Sequence, residues 1–248
     1  MPSFQDLVTA FVLLTRLPVA RFGGSSDLAR SVWAFPVVGL VIGALGGLVY
    51  WAAFRLGMPP LLAGVWTLAA TLVLTGAFHE DGLADTADGF GGGRTRERKL
   101  EIMRDSRIGS YGTLALGLSV LARVGALAAL GRPGLVATAL IAAGTMGRGA
   151  MIAILLVLRP ARPDGMAASL SDIPRWSAAL GLVLAVLAAL ICLPVKGALI
   201  VALLGIGASF AVAKLAQAQI GGHSGDVLGA GEVFVECVTL AAIVSMLG

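Results

Sequence analysis

Seven runs of apolar residues are long enough to cross a bilayer, and most charged residues fall between them. The runs are Ala34–Phe54, Pro60–Phe78, Tyr111–Leu130, Gly134–Leu158, Trp176–Leu193, Gly197–Gln217 and Leu228–Leu247. Each holds roughly 18–25 residues, the length a helix needs to span a hydrocarbon core of about 30 Å. Leu7–Leu14 is also apolar but too short to span, and Thr15–Arg16–Leu17–Pro18 breaks it, which predicts an interfacial or re-entrant helix. In the first span Gly39, Gly43 and Gly47 recur every four residues. That spacing suits close helix packing in lipid; a dinucleotide loop would need a preceding strand, and the sequence offers none. The pattern predicts an all-α fold: a polytopic integral membrane helical bundle of about seven transmembrane helices plus the N-terminal segment. Residues 1–248 read as one domain, with a motif-bearing segment over 79–112.

Composition strengthens this reading. The 248 residues are 58% hydrophobic and 13% charged, whereas soluble domains average about 25% charged. The formal charge of +4 does not imply nucleic acid, because the cations form no aromatic-laced patch. They suit loops facing anionic lipid. Twelve loop cations fall on the side of the N-terminal segment, against three opposite, Arg55, Arg132 and Lys196. The positive-inside rule then makes the richer side cytoplasmic, in a multi-pass protein of the inner membrane. Cys192 and Cys237 lie in separate apolar runs and read as small buried hydrophobes. Met1–Gln5 lacks the positive region of a cleaved signal peptide.

The chemistry concentrates in one stretch. Half of the fourteen acids fall between Glu80 and Asp105. In a helix, Asp81, Asp85 and Asp88 would share an arc of roughly 60°. Three carboxylates so close repel one another unless a cation sits among them, and their hard oxygens suit Mg²⁺, Mn²⁺ or Ca²⁺ better than Zn²⁺. The plainer alternative is a solvated acidic helix start. Gly91–Gly93 should end this helix, and Arg94–Arg107, with six cations, reads as a charged loop or surface helix.

Arg123, Arg148, Lys214, Glu232 and Glu236 fall inside spans, where an ionised group is costly and a functional candidate by default. Glu232 and Glu236, with Asp226, offer a second carboxylate set; the alternative pairs the two glutamates with Arg148 or Lys214. Arg123 and Arg148 lie too deep to snorkel and could hold an anionic group, whereas Lys214 could reach the surface. Gly222–His223–Ser224–Gly225 is followed by Asp226 and has no preceding strand, which excludes a serine-hydrolase elbow. Its glycines instead let backbone N–H groups approach phosphate. His79 and His223 are each either a base or a hydrogen-bonding loop histidine.

The run His79–Gly89, followed by Glu101–Gly112, resembles the cobalamin synthase family, whose members are adenosylcobinamide-GDP ribazoletransferases. The likeness extends to Thr15–Val19, Phe35–Gly39, Ala161–Gly165 and Gly221–Ala230, in order along the chain. The central run is highly specific, and Glu80 departs from the apolar residue the resemblance implies there. The resemblance implies a Mg²⁺-dependent membrane transferase, with Mn²⁺ a possible substitute. It would join adenosylcobinamide-GDP to α-ribazole or its 5′-phosphate and release GMP. A metal would sit on Asp81, Asp85 and Asp88, with Asp226, Glu232 and Glu236 on a second wall. Asp85, Asp105, His79 and His223 are the catalytic candidates. Arg104, Ser106, Arg107 and Arg162, with Gly222 and Gly225, would hold phosphate.

Two other enzyme classes use similar acids. A CDP-alcohol phosphotransferase carries Asp–Gly–x–x–Ala–Arg, but here Asp81–Gly82–Leu83–Ala84 continues into Asp85. A prenyltransferase uses two aspartate-rich diphosphate motifs, which Asp226 with Glu232 could mimic loosely. A cation carrier would spread its carboxylates through the membrane rather than at one face.

Overall fold

A computed structural model describes residues 1–23, 27–164, 166–170 and 172–247. The described residues form helices and no strand: α1 (Phe4–Leu14), α2 (Leu28–Ser31), α3 (Phe35–Arg55), α4 (Pro60–Thr75), α5 (Phe78–Gly92), α6 (Arg96–Ile102), α7 (Ser110–Leu130), α8 (Pro133–Val157), α9 (Arg175–Cys192), α10 (Val195–Ile220) and α11 (Gly225–Leu247). Among them six segments are long and apolar enough to cross a membrane, Leu28–Arg55 and α7 to α11; α4 with α5 makes a seventh if that bent pair is one span. The protein is a multi-pass helical membrane bundle.

α1 is defined by its ends. Ser3 Oγ accepts from the Asp6 N–H at 3.2 Å and Asp6 Oδ2 accepts from the Ser3 N–H at 3.0 Å, a reciprocal capping box. At eleven residues the helix is about 16 Å long, too short to span. Its buried side packs against α2 and α3.

α8 is the axis of the bundle and packs against α3, α9, α10 and α11. Its middle is lined with small residues from Ala142 to Ala150, nearly all buried. The glycine stripe of α3 meets it backbone to backbone: a Cβ on Gly39 would lie 2.1 Å from the Gly144 carbonyl oxygen, and one on Gly43 2.5 Å from that of Leu140. In lipid, where apolar side chains gain little from leaving the solvent, such close approach is what holds helices together.

The second apolar run does not continue straight into the acidic motif, as its composition predicts. α4 stops at Thr75, and α5 leaves at 90° to it. Gly76 (φ 67°) and Ala77 (φ 53°) are both left-handed, which ends the helical hydrogen-bond ladder. For Ala77 this conformation costs about 1 kcal/mol. The Leu74 carbonyl accepts the Arg16 backbone N–H at 2.7 Å instead. The turn swings α5 under α7 and α11, which it contacts along its length. The N-terminal segment, α6, the 158–174 connection and the 221–224 loop meet on the same face. Arg96 there donates to the carbonyls of Ile220, at 2.7 Å, and Ala161, at 2.6 Å.

Candidate active site at the acidic helix

α5 turns a buried inner face, its root, into the bundle and an open outer face, its tip, toward a cleft. At the root, Glu80 accepts from Arg123 at 2.7 Å, and Glu236 lies 3.5 Å from Arg123 and 2.6 Å from Arg148. Arg148 also pairs with Glu232, whose other oxygen is 3.8 Å from His79 Nδ1. Arg148 and Glu232 are 2% and 1% exposed. Ions this deep persist only because each faces an opposite charge. Arg123 and Arg148 are therefore occupied by the protein's own carboxylates rather than open to an anionic ligand. Glu232 and Glu236, expected on the second wall of a metal site, are drawn into this cluster, and so is His79. Lys214 takes no part; it is exposed, with its ammonium 5.2 Å from the Phe210 ring.

Asp88 sits at the other end of α5 but does not open to solvent. Its Oδ2 accepts from the Gly109 N–H at 2.7 Å and its Oδ1 from the Gly112 N–H at 2.9 Å. It caps the start of α7, where unpaired N–H groups and the helix dipole favour an anion. The predicted arc of aspartates exists, but this member is used structurally.

Asp81 and Asp85 face outward between these two anchors. Asp226 joins them from α11, which approaches so closely that a Cβ on Gly82 would lie 2.8 Å from the Asp226 carbonyl oxygen. The charges of Asp81, Asp226 and Asp88 all bear on Asp85, and that of Asp81 bears on Asp226. Acids from two segments far apart in sequence thus share one electrostatic environment. Their cationic counterweight is slight: Arg162 Nη2 lies 3.3 Å from Asp226 Oδ2, which also accepts from Ser224 Oγ at 3.1 Å.

Two cavities meet at Asp81. A cleft of about 620 Å³ is lined by Asp81, Asp85, Arg104, Asp105, Ser106 and Arg16. A smaller cavity of about 180 Å³ is lined by Asp81, Arg162, His223, Ser224, Gly225 and Asp226. Arg104 reaches across to pair with Asp164; Gly165, the last residue of that motif, lies outside the described residues. At the rim Arg107 forks onto Asp105, with Nη2 2.7 Å from Oδ2. That hydrogen-bonded guanidinium holds the Asp105 carboxyl down at about 2, so it is ionised near neutrality and a poor proton acceptor. The Arg107 side chain is 86% exposed and does not line the cleft.

His223 is fixed by its backbone. Its N–H donates to the Arg159 carbonyl at 2.9 Å, and its carbonyl accepts from the Ala161 N–H at 2.8 Å. Gly222 makes that pairing possible, since a Cβ there would lie 2.3 Å from the Arg159 carbonyl oxygen; it serves packing, whereas Gly225 opens onto the small cavity. Burial pushes the imidazole down to about 4, which leaves it neutral at pH 7 and able to accept a hydrogen bond. Sequence reading passed over Arg96, which ties α6 to this loop, and Arg16. Neither stands out among the loop cations except by position.

The oxygens of Asp81, Asp85 and Asp226 are hard donors of the kind a divalent cation takes, and among the described residues Arg162 is the one guanidinium in ion-pair distance of them. Among the described residues no three acid, imidazole or thiol groups form a ready-made metal cage.

A multi-pass bundle whose carboxylates and arginines gather around two adjoining cavities at one end has the make-up of a membrane-embedded enzyme. Residues 6–244 match the model of the cobalamin-5-phosphate synthase family, and the chain belongs to that family. It is 49% identical over 237 residues to the adenosylcobinamide-GDP ribazoletransferase of Bradyrhizobium diazoefficiens, covering 95% of this chain and 91% of that protein. The enzymes of that name from Mesorhizobium japonicum and Azorhizobium caulinodans are 44% and 43% identical, over 91% and 96% of this chain and 87% and 94% of their own lengths. No solved structure matches the chain.

Proposed function

We propose that this enzyme transfers the adenosylcobinamide-phosphate group of adenosylcobinamide-GDP to α-ribazole or its 5′-phosphate, and that it does so at the cytoplasmic face of the inner membrane. The observation that carries the reading is the pair of unequal cavities sharing Asp81. The cleft of about 620 Å³ has the volume of a site for a nucleotide-sized group and takes the diphosphate donor. The smaller cavity presents the acceptor hydroxyl to His223. The acceptor oxygen bonds to the phosphorus bearing the cobinamide, the bond from that phosphorus to the bridging oxygen breaks, and GMP leaves with the electron pair. His223, neutral and held by the Arg159–Ala161 backbone, accepts a hydrogen bond from the attacking hydroxyl, whose proton passes on to solvent as the new bond forms. Asp81, Asp85 and Asp226 hold Mg²⁺, which when bound supplies charge neutralisation for the diphosphate. Arg104 and Arg162 exchange their carboxylate partners for phosphate oxygens. The loop-cation asymmetry, twelve to three, supports the cytoplasmic orientation.

The test is to incubate the purified protein with adenosylcobinamide-GDP, α-ribazole and Mg²⁺, and to follow nucleotide and corrinoid products. GMP and cobalamin in equal amounts are expected, and chelation with EDTA should stop their formation. Release of CMP or pyrophosphate from the corresponding alternative substrates, with no GMP from this one, would reject the assignment.

A further inference from the structure

Among the arginines that line the two cavities, Arg104 is held by Asp164 and Arg162 by Asp226. Arg16 lines the large cleft together with Asp81 and Asp85, yet among the described residues it has no carboxylate partner. Its position is set from both sides. Thr15 ends α1 by donating its hydroxyl to the Phe11 carbonyl at 2.7 Å, and its Oγ1 accepts from the Leu17 N–H at 3.2 Å. The Arg16 N–H is fixed on the Leu74 carbonyl at 2.7 Å. The side chain then crosses the α4–α5 break: a Cβ on Gly76 would lie 2.4 Å from Arg16 Nε. The glycine at this turn therefore serves two ends, the left-handed backbone and room for the guanidinium stem. A cation is thus steered to the mouth of a cleft whose other charges are already matched or anionic.

We propose that Arg16 is a substrate-binding residue that grips the nucleotide diphosphate of the donor, opposite the carboxylates of α5. This rests on the transferase reading above. A guanidinium presents paired N–H donors that match phosphate oxygens. Arg16 also borders an apolar crevice with Val12 and Leu13, so the same chemistry would accept the phosphate of an anionic lipid. The carboxylate cleft favours the substrate as source, because a bound diphosphate brings its negative charge to the Arg16 side.

Arg16→Gln tests this in the full-length protein, by steady-state kinetics in neutral detergent and in vesicles containing anionic phospholipid. The KM for adenosylcobinamide-GDP should rise about 10- to 100-fold, the range of a charge-assisted hydrogen bond. The kcat and the KM for unphosphorylated α-ribazole should change little, and Arg16→Lys should recover part of the loss. GDP binding by equilibrium dialysis, which needs no turnover, should weaken in parallel. An unchanged donor KM and GDP affinity in Arg16→Gln would overturn the proposal, as would a defect seen in anionic vesicles alone, which would make Arg16 a lipid anchor. Wild-type protein that releases no GMP would instead defeat the transferase reading, and the GDP arm would still judge Arg16.

Discussion

The two faces of α5, its buried root and its open tip, treat charge in opposite ways. At its root, Glu80, Glu232 and Glu236 meet Arg123 and Arg148 at short distances, and the cluster is sealed among α7, α8 and α11. At its tip, Asp81 and Asp85 share an electrostatic environment with Asp226, and among the described residues the one guanidinium in ion-pair distance of the three is Arg162, on Asp226. Both faces are acidic in sequence, and both draw carboxylates from α5 and α11. The difference lies in the partner: the protein supplies the counter-charge at the root and leaves it to a ligand at the tip. A buried pair without its partner is strongly destabilising, whereas a repelling set at a surface cleft is tolerable because water screens it. Stability and function are thus separated around one helix rather than along it, by the roughly 100–140° that divides Glu80 from Asp81 and Asp85.

Removing a charge at the tip should affect turnover and spare the fold. Asp85→Asn is expected to reduce kcat by at least about 1000-fold, ~4 kcal/mol of transition-state stabilisation, while its thermal transition in detergent stays near that of the wild type. Near-normal turnover at saturating Mg²⁺ would remove Asp85 from the site. At the root the pattern should reverse. Arg148→Ala takes from Glu232 its guanidinium and leaves Glu236 with Arg123 alone, at a cost of about 3–5 kcal/mol. That loss should appear as a large drop in the thermal midpoint; an unchanged midpoint would show that the cluster contributes nothing to the fold.

A smaller effect sharpens the contrast. The His223 imidazole is pushed from 6.5 down to about 4 by burial, so the unfolded chain binds a proton that the folded one refuses. Its stabilising contribution is fully present above about pH 6.5 and is lost as the pH falls toward 4. Replacing it by glutamine should flatten this part of the stability profile, measured by thermal unfolding between pH 4 and 7. A profile unchanged by His223→Gln would mean that the imidazole is not shielded.

Much of this was legible in the sequence, and what was not has physical causes. Apolar runs mark the helices because lipid demands length and composition. α8 starts at Pro133, one residue before its run, and α10 ends at Ile220, three residues after its own. The glycine stripe of α3 announced its packing because small residues every four positions make one face. The break at Gly76–Ala77 was hidden, since a single glycine is tolerated in a helix and Ala77 gives no sign of its left-handed backbone. The fate of Asp88 was hidden too: it shares the periodicity of Asp81 and Asp85, but its partners are N–H groups of Gly109 and Gly112, brought near by tertiary packing alone. Likewise Arg148 was recognisable as a costly buried charge, while the choice between a ligand and Glu236 as its partner depends on how α8 and α11 are rotated. Arg16 lies in the Thr15–Val19 stretch of the family resemblance, but the sequence does not show where its side chain goes; the turn beside it does.

The central claim is that α5 and α11 build one cation- and phosphate-binding site from acids more than a hundred residues apart. Mn²⁺ binding in the presence of GDP, followed by electron paramagnetic resonance on the wild type, Asp85→Asn and Asp226→Asn, tests it most directly. The account predicts that each substitution weakens Mn²⁺ affinity by about tenfold or more, the effect of losing one anionic ligand from a shared site. Wild-type affinity in Asp226→Asn, alongside a loss in Asp85→Asn, would contradict it and leave α11 as a structural wall.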